Sequence, residues 1–377
     1  MPVVVTAADR ASFARCRRQW DFGSATRQNL EPAATPPDLD RAVRDALAVY
    51  YFPGMWDWDR NVRLPLVGQE LERAVARQRQ RTGEGADHQP GAQPWQQARE
   101  QGQALLAAYV DWAPSADRFA PVLVETDFEV DVLDPRKPKT ALVTGEGEII
   151  RYTGRVDMLA VDEHDAYWIV RHRVVDADWP PTAQLVADEE GLAACWAWEQ
   201  FYLGMTIAGT IYNELSSQVK RPARRWFQRK PRAVRQHEPS GGGRSIPQHR
   251  RMYAQAREPR RLKAIEQLTT NNVRRTWLRR DPAAVQDAGR RLSKDLAEMT
   301  RKGLDIYPEP SDANCPPCPY LDPCQLLRQG GDAGPMIASR YRSRKPPGQP
   351  EEGRLGGRAW GMGRGAAPPK FPPRRDP

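Results

Sequence analysis

Three cysteines fall within ten residues late in the chain, Cys315-Pro-Pro-Cys318 and, five residues further on, Cys324. Two prolines inside the first pair favour a tight, non-helical turn that lets both sulfurs point inward. Three thiols on so short a segment are the donor set of a metal centre, and four thiolates suit either zinc or an iron–sulfur cluster. By residue type the fourth ligand is Cys16 or Cys195. Either lies more than a hundred residues upstream, so such a centre would join distant parts of one fold. The plainer reading, buried free cysteines, sits poorly with so dense a cluster.

At 377 residues, with 40% apolar and 8% aromatic side chains, the chain can bury a full core. The net charge of +9 is unevenly placed: Gln325 to Pro377 carries eleven Lys/Arg against four Asp/Glu, leaving the body near neutral. The N-terminus lacks the layout of a secretory signal, and no apolar run approaches the roughly 18 residues of a membrane span. The expectation is a soluble, cytoplasmic protein with no membrane partner, in which reduced cysteines bind metal or stay free.

Ser12 to Phe22 reads as a short helix around Cys16. After a Pro-rich link, Asp38 can cap a helix over Leu39–Tyr51, in which Ala42, Val43, Ala46, Leu47 and Tyr50 recur at helical spacing. Helices are expected over Gln69–Gln80 and Trp95–Trp112, with a loop from Thr82 to Pro94. From Val122 to Val132 apolar and acidic residues alternate, the mark of a half-exposed strand. Gly154–Val161 and Tyr167–Val175 read as two more strands joined by an acidic turn, followed by a buried helix over Glu189–Leu203 and a strand over Thr206–Asn213. A basic, irregular insertion spans 219–261, helices resume near Leu262, and Pro282–Arg301 is amphipathic. The order predicts a mixed α/β domain over 1–324, followed by a disordered Arg/Gly/Pro-rich tail over 325–377.

One early Cys, about 300 residues of chain and a terminal C-x2-C-x5-C resemble the layout of iron–sulfur nucleases of the PD-(D/E)XK superfamily. This sequence is similar to the AddB C-terminal nuclease, to the iron–sulfur nucleases of CRISPR adaptation and to RecB-like exonucleases. Ser12-Phe-Ala-Arg-Cys16-Arg-Arg-Gln-Trp20-Asp-Phe22 resembles that family's first cluster motif, and Ile306-Tyr-Pro-Glu-Pro-Ser311 its approach to the last three cysteines. The resemblance implies a mixed sheet flanked by helices, closed by a 4Fe-4S cluster on Cys16, Cys315, Cys318 and Cys324, with zinc as the alternative.

In the RecB-like branch, metal-dependent cleavage uses a helical His, an Asp in a G-x-x-D strand, and an acidic-x-Lys pair on the next strand, which together hold Mg or Mn and orient water. Gly154-Arg-Val-Asp157 matches the second element. Residues two apart in a strand share a face, so Arg171 and Arg173 stand where the acidic residue and Lys are expected. Arg44 occupies the place of the His, and Glu190 and Ala194 those of a later Q-x3-Y signature. A guanidinium stays protonated and does not ligate a divalent metal. Of these catalytic residues only Asp157 remains, unless Glu125, Glu148, Asp162 or Asp176 supplies a displaced ligand. The arginines either hold phosphate or simply pair with neighbouring acids.

Arg221, Arg224, Arg225, Arg229 and Lys230, with Trp226 among them, combine charge for a phosphate backbone with a ring for unpaired bases; a solvated loop is the alternative. The leading expectation is a DNA-binding iron–sulfur protein of the RecB-like nuclease fold, catalytically weak or inactive, acting on single strands or ends in DNA processing or repair. The alternatives are an active Mg/Mn-dependent exonuclease with displaced ligands, and a non-catalytic partner in a larger DNA-processing complex.

Overall fold

Two long strands, β3 (Phe119–Asp131) and β6 (Ile150–Asp162), form the spine of a seven-stranded mixed sheet in a computed structural model that describes residues 2–56, 58–82, 92–176, 178–218 and 264–344. On its other edge β6 meets two strands in succession. The first, β1 (Val3–Thr6), runs parallel to Ile150–Thr153; the second, β7 (Tyr167–Val175), runs antiparallel to Met158–Val161. The sheet continues through β8 (Ile207–Ser216), β10 (Val273–Arg279) and the edge strand β9 (Ile265–Thr269).

Helices cover both faces. On one side lie α3 (Leu39–Tyr50), α4 (Arg60–Arg81) and α5 (Ala92–Ala116), packed on Val124, Met158, Trp168, Val170, Ile211 and Trp277. On the other lie α1 (Ala7–Arg15), α7 (Glu189–Phe201) and α8 (Pro282–Met299), around Phe128, Tyr152, Leu159, Ile169 and Ile207. A short α6 (Thr182–Val186) precedes α7, and β4 (Leu133–Asp134) pairs with β5 (Lys137–Ala141) between the two spine strands in sequence. Such a two-sided α/β/α arrangement buries both faces of the central strands, which is why β7 and β10 show little alternation.

Both spine strands swap faces midway. Tyr152 and Val156 face the α7 side whereas Met158 and Ala160 face α3; on β3, Phe128 and Val130 face the α7 side whereas Val124 faces α3. All are even-numbered, so each strand slips by one side-chain position between these residues, as an irregularity in the ladder demands. The slip falls at Glu125, whose φ of 43° lies in the left-handed region, and at Asp157 opposite it.

The expected elements around the site are present, with altered bounds. Ser12–Phe22 is not one helix but two, α1 and α2 (Arg17–Gly23), because Cys16 between them is extended, at φ −166° and ψ 118°. Pro94, expected in a loop, lies in the first turn of α5, where its missing N–H loses no helical bond. Instead of helices resuming near Leu262, which itself lies outside the described residues, β9 and β10 form a hairpin. Thr270 and the Asn pair after it close the turn, and Val273, Thr276 and Trp277 favour a buried strand.

The boundary placed after Cys324 also falls inside an element. Helix α9 (Leu321–Arg328) runs through it, then α10 (Gly334–Arg340), and β11 (Tyr341–Ser343) pairs antiparallel with β2 (Leu30–Pro32). An Arg342–Glu31 ion pair at 2.8 Å and the Tyr341 hydroxyl, donating to the Pro319 carbonyl at 2.8 Å, fasten this return. The rest of the tail, 345–377, lies outside the described residues, as does the basic insertion with Arg221, Arg224, Arg225, Trp226, Arg229 and Lys230. Among the described residues no helix is long and apolar enough to cross a membrane.

Candidate active-site cleft and cysteine cleft

Where β1 and β7 part along the edge of β6, the strand segment between them has no neighbour, and a cleft of about 430 Å³ opens there. Asp157 sits at the fork. Just beyond the last β6–β7 pair, Met158–Val170, its Oδ2 accepts the His172 backbone N–H at 2.7 Å, so a side chain replaces the next rung of the ladder. Helix α3 lies over the same point. Asp40, in its first turn, accepts the Val174 N–H at 2.7 Å, and Arg44, one turn on, reaches Asp40 at 3.1 Å and Asp157 at 3.6 Å.

The alternation of β7 sends Arg171 and Arg173 to the α7 side and His172 to the α3 side. Both guanidinium groups meet one carboxylate oxygen, Asp188 Oδ2, at 2.8 Å each, and the Tyr212 hydroxyl donates to the same oxygen at 2.7 Å. Arg171 also pairs with Glu190 at 2.8 Å, and Arg173 lies over the Tyr212 ring, 4.9 Å from its centroid. His172 stacks on Tyr51 with centroids 5.7 Å apart.

Glu125 sits across from Asp157, between the paired residues Val124–Met158 and Thr126–Val156. It is only 2% exposed and is approached by Arg155 at 3.4 Å and Arg41 at 3.7 Å. Burial, reinforced by the Asp157 charge and opposed by Arg41 and Arg155, pushes its carboxyl up to about 7. Burial also raises Asp40, against Arg44 and the Val174 N–H. Burial lowers His172 to about 4, so it is neutral at pH 7 although Asp157 favours its charged form. For Arg44 and Arg171 burial works against the charge, but the carboxylates around each outweigh it and hold both cations firmly protonated.

The fold thus brings Arg44, Asp157, Arg171, Arg173, Glu190 and Ala194 to one cleft. Glu148, Asp162 and Asp176 do not line it. Asp162 instead accepts the His164 and Ala166 N–H groups and the Trp168 indole N–H in its own turn. Sequence reasoning missed Asp40 and Asp188. The first had a signal, an Asp four residues before Arg44 on one helix face; the second reads as an ordinary helix cap until the sheet is assembled.

A second cleft, of about 340 Å³, is lined by Cys16, Cys315, Cys318 and Cys324. Cys195 is elsewhere, buried between α7 and β8 with its sulfur 3.6 Å from the Thr210 hydroxyl. The loop before Cys315 is stitched to the α1–α2 junction. The Glu309 N–H donates to Cys16 Sγ at 3.4 Å, the Arg17 N–H to the Glu309 carboxylate at 3.1 Å, and the Asn314 amide to the Arg15 carbonyl at 3.0 Å. Burial raises the Cys318 and Cys324 thiols, and proximity to the other thiols of the cleft adds to it. Among the described residues no group of three His, Cys, Asp or Glu is arranged to hold a metal ion.

A mixed sheet wrapped by helices, with charged side chains gathered where two strands diverge, defines a nuclease-like α/β protein. The chain belongs to the PD-(D/E)XK nuclease superfamily, whose family model matches residues 5–325. No curated protein matches it.

Proposed function

We propose that the protein binds DNA, as single strands or ends, at the fork cleft without cleaving it, and serves DNA processing or repair as a RecB/AddB-like member of its superfamily. One observation carries this reading: the β7 residues that line the cleft with Asp157 include Arg171 and Arg173, both held on Asp188, and no carboxylate. Cleavage by two-metal chemistry needs carboxylates there, whereas a guanidinium repels a divalent ion and suits a phosphate oxygen. Asp157 is itself engaged, by the His172 N–H and by Arg44, so it serves the fold of the fork.

Incubation of purified protein with labelled single- and double-stranded DNA and Mn2+ should give a salt-sensitive mobility shift and no products. Degradation that requires Mn2+ and disappears in Asp157→Ala would overturn the inactive reading. It would favour an active enzyme that recruits Glu125, the carboxylate facing Asp157. Absence of any shift at low salt would favour a non-catalytic interaction protein.

The cysteine cleft is the second part of the proposal. Four thiols from opposite ends of the chain line one cleft of about 340 Å³, a donor set that suits a 4Fe-4S cluster once the thiols draw together on it, and a backbone N–H to Cys16 Sγ is the kind of contact that stabilises a bound thiolate. Cys16, Cys315, Cys318 and Cys324 would hold the group, which would supply a structural tie between the N-terminal arm and the C-terminal loop. Protein purified without oxygen should be coloured and contain iron; Cys16→Ser and Cys318→Ser should both lose it, and Cys195→Ser should not. Stoichiometric zinc without colour would replace the cluster by the zinc alternative.

A further inference from the structure

The fork cleft has a neighbour. A groove of about 640 Å³ runs between α1, the start of α7 and α8, and shares Ala7, Tyr152 and Glu190 with the fork cleft. Both spaces are of the size that takes small ligands or single nucleotides. Two side chains stand at their junction. Tyr152 is one, 1% exposed and in the wall of both clefts. Glu190 is the other, with its carboxylate 2.8 Å from Arg171 and its side chain 51% exposed.

The two acids on Arg171 differ in kind. Asp188 is 12% exposed, bonded also to Arg173 and the Tyr212 hydroxyl, and fixes the guanidinium in place. Glu190 is half exposed and reaches Arg171 through one ion pair, a looser hold than the shared contacts of Asp188, although its charge is the largest that sustains the buried guanidinium. A phosphate offers the same guanidinium edge a stronger, charge-assisted partner. Beyond Glu190 the groove floor is made by Ala7, Ala11 and Ala14, while Arg10, Arg291 and Lys294 stand among acids around it.

We propose that Glu190 is a displaceable stand-in for phosphate: its carboxylate fills the seat on Arg171 that a nucleic-acid phosphate takes, and a single polynucleotide strand bound in the fork cleft expels it. Tyr152 meets the strand at the junction. The proposal rests on the nucleic-acid reading above and adds to it the residue that competes with the ligand.

The test is the affinity of the full chain for a short 3′-labelled oligothymidylate at fixed low salt, measured by fluorescence anisotropy, with thermal melting as the check on folding. Glu190→Gln should bind about three- to tenfold tighter than the wild type, and Glu190→Ala should shift the same way. Arg171→Gln should weaken binding and cancel the gain in the double variant; Tyr152→Phe should weaken it several-fold. Inorganic phosphate should displace the strand from Glu190→Gln at lower concentration than from wild type if the seat is specific for phosphate itself. Unchanged or weaker binding by both Glu190 variants, with Arg171→Gln still defective, would overturn the stand-in role and leave DNA binding intact. Binding by none of the proteins would remove both.

Discussion

Glu125 and Asp157 face each other across two antiparallel strands, an arrangement that like charges ordinarily disfavour. The pair persists because Arg155, Arg41 and Arg44 reach it and because Glu125 takes up a proton more readily than a free carboxylate. A carboxyl raised from 4.5 to about 7 on folding contributes fully below the unfolded value, and that contribution is lost as pH rises through the folded one. Glu125→Gln should therefore stabilise the protein relative to wild type at about pH 8, and the advantage should fade by about pH 5. Urea midpoints across that range would show it; a pH-independent difference would mean that Glu125 is ionised throughout. His172 has the opposite sign. Its folded value of about 4 lies below 6.5, so its contribution is complete above 6.5 and lost as pH falls towards 4. The two slopes partly offset each other in the wild type, which is why the variant comparison is the informative one.

At the level of elements, β3 and β6 decide where the cleft can be. Gly154 begins the segment of β6 that has no strand partner on the cleft edge, and on the other edge it lies opposite Phe128, whose ring covers it; a Cβ there would stand 2.5 Å from the ring. The glycine of the G-x-x-D pattern is thus a packing requirement of the spine, two residues after Tyr152 and three before Asp157. Gly154→Ala should cost about 1–3 kcal/mol in chemical denaturation, by overpacking. A neutral result would mean that Phe128 has room to swing away. The strand alternation that identified β3 was legible because it depends only on neighbours in sequence. The face swap at Glu125–Asp157 and the β9–β10 hairpin were not, since both depend on which strand lies alongside. Alternation alone would leave Glu125 on the solvent face with Asp127 and Glu129.

On the scale of the molecule, the helical layer of α3 and α5 is tied to the sheet by a buried polar knot. Arg275 on β10 is fully buried, 2.7 Å from Asp117, 2.6 Å from the Asn213 side-chain oxygen, and within hydrogen-bond reach of the Tyr51 and Tyr109 hydroxyls. Asn213 in turn contacts His172 at 3.3 Å, so the knot reaches the back of the strand that carries Arg171 and Arg173. Arg275→Met leaves Asp117 buried without its cation and should cost about 3–5 kcal/mol. Adding Asp117→Leu should recover part of that loss, and a double variant less stable than Arg275→Met would show that the pair is not the source. Nothing in the spacing of residues 117 and 275 announces this contact.

The resemblance to RecB-like nucleases supplied the places where metal-binding residues are expected and arginines stand; local rules read from the chain alone were enough for a mixed α/β class and for the strands that carry the fork. These depend on residue type and on periods of two or 3.6, which any segment carries within itself. Which acids neutralise those arginines, that Glu125 is buried against Asp157, and that Cys16 rather than Cys195 shares a cleft with the last three cysteines were decided by the tertiary structure. Each is a matter of what stands opposite a side chain, and that is set by segments far away in sequence brought together by the burial of two apolar layers on one sheet.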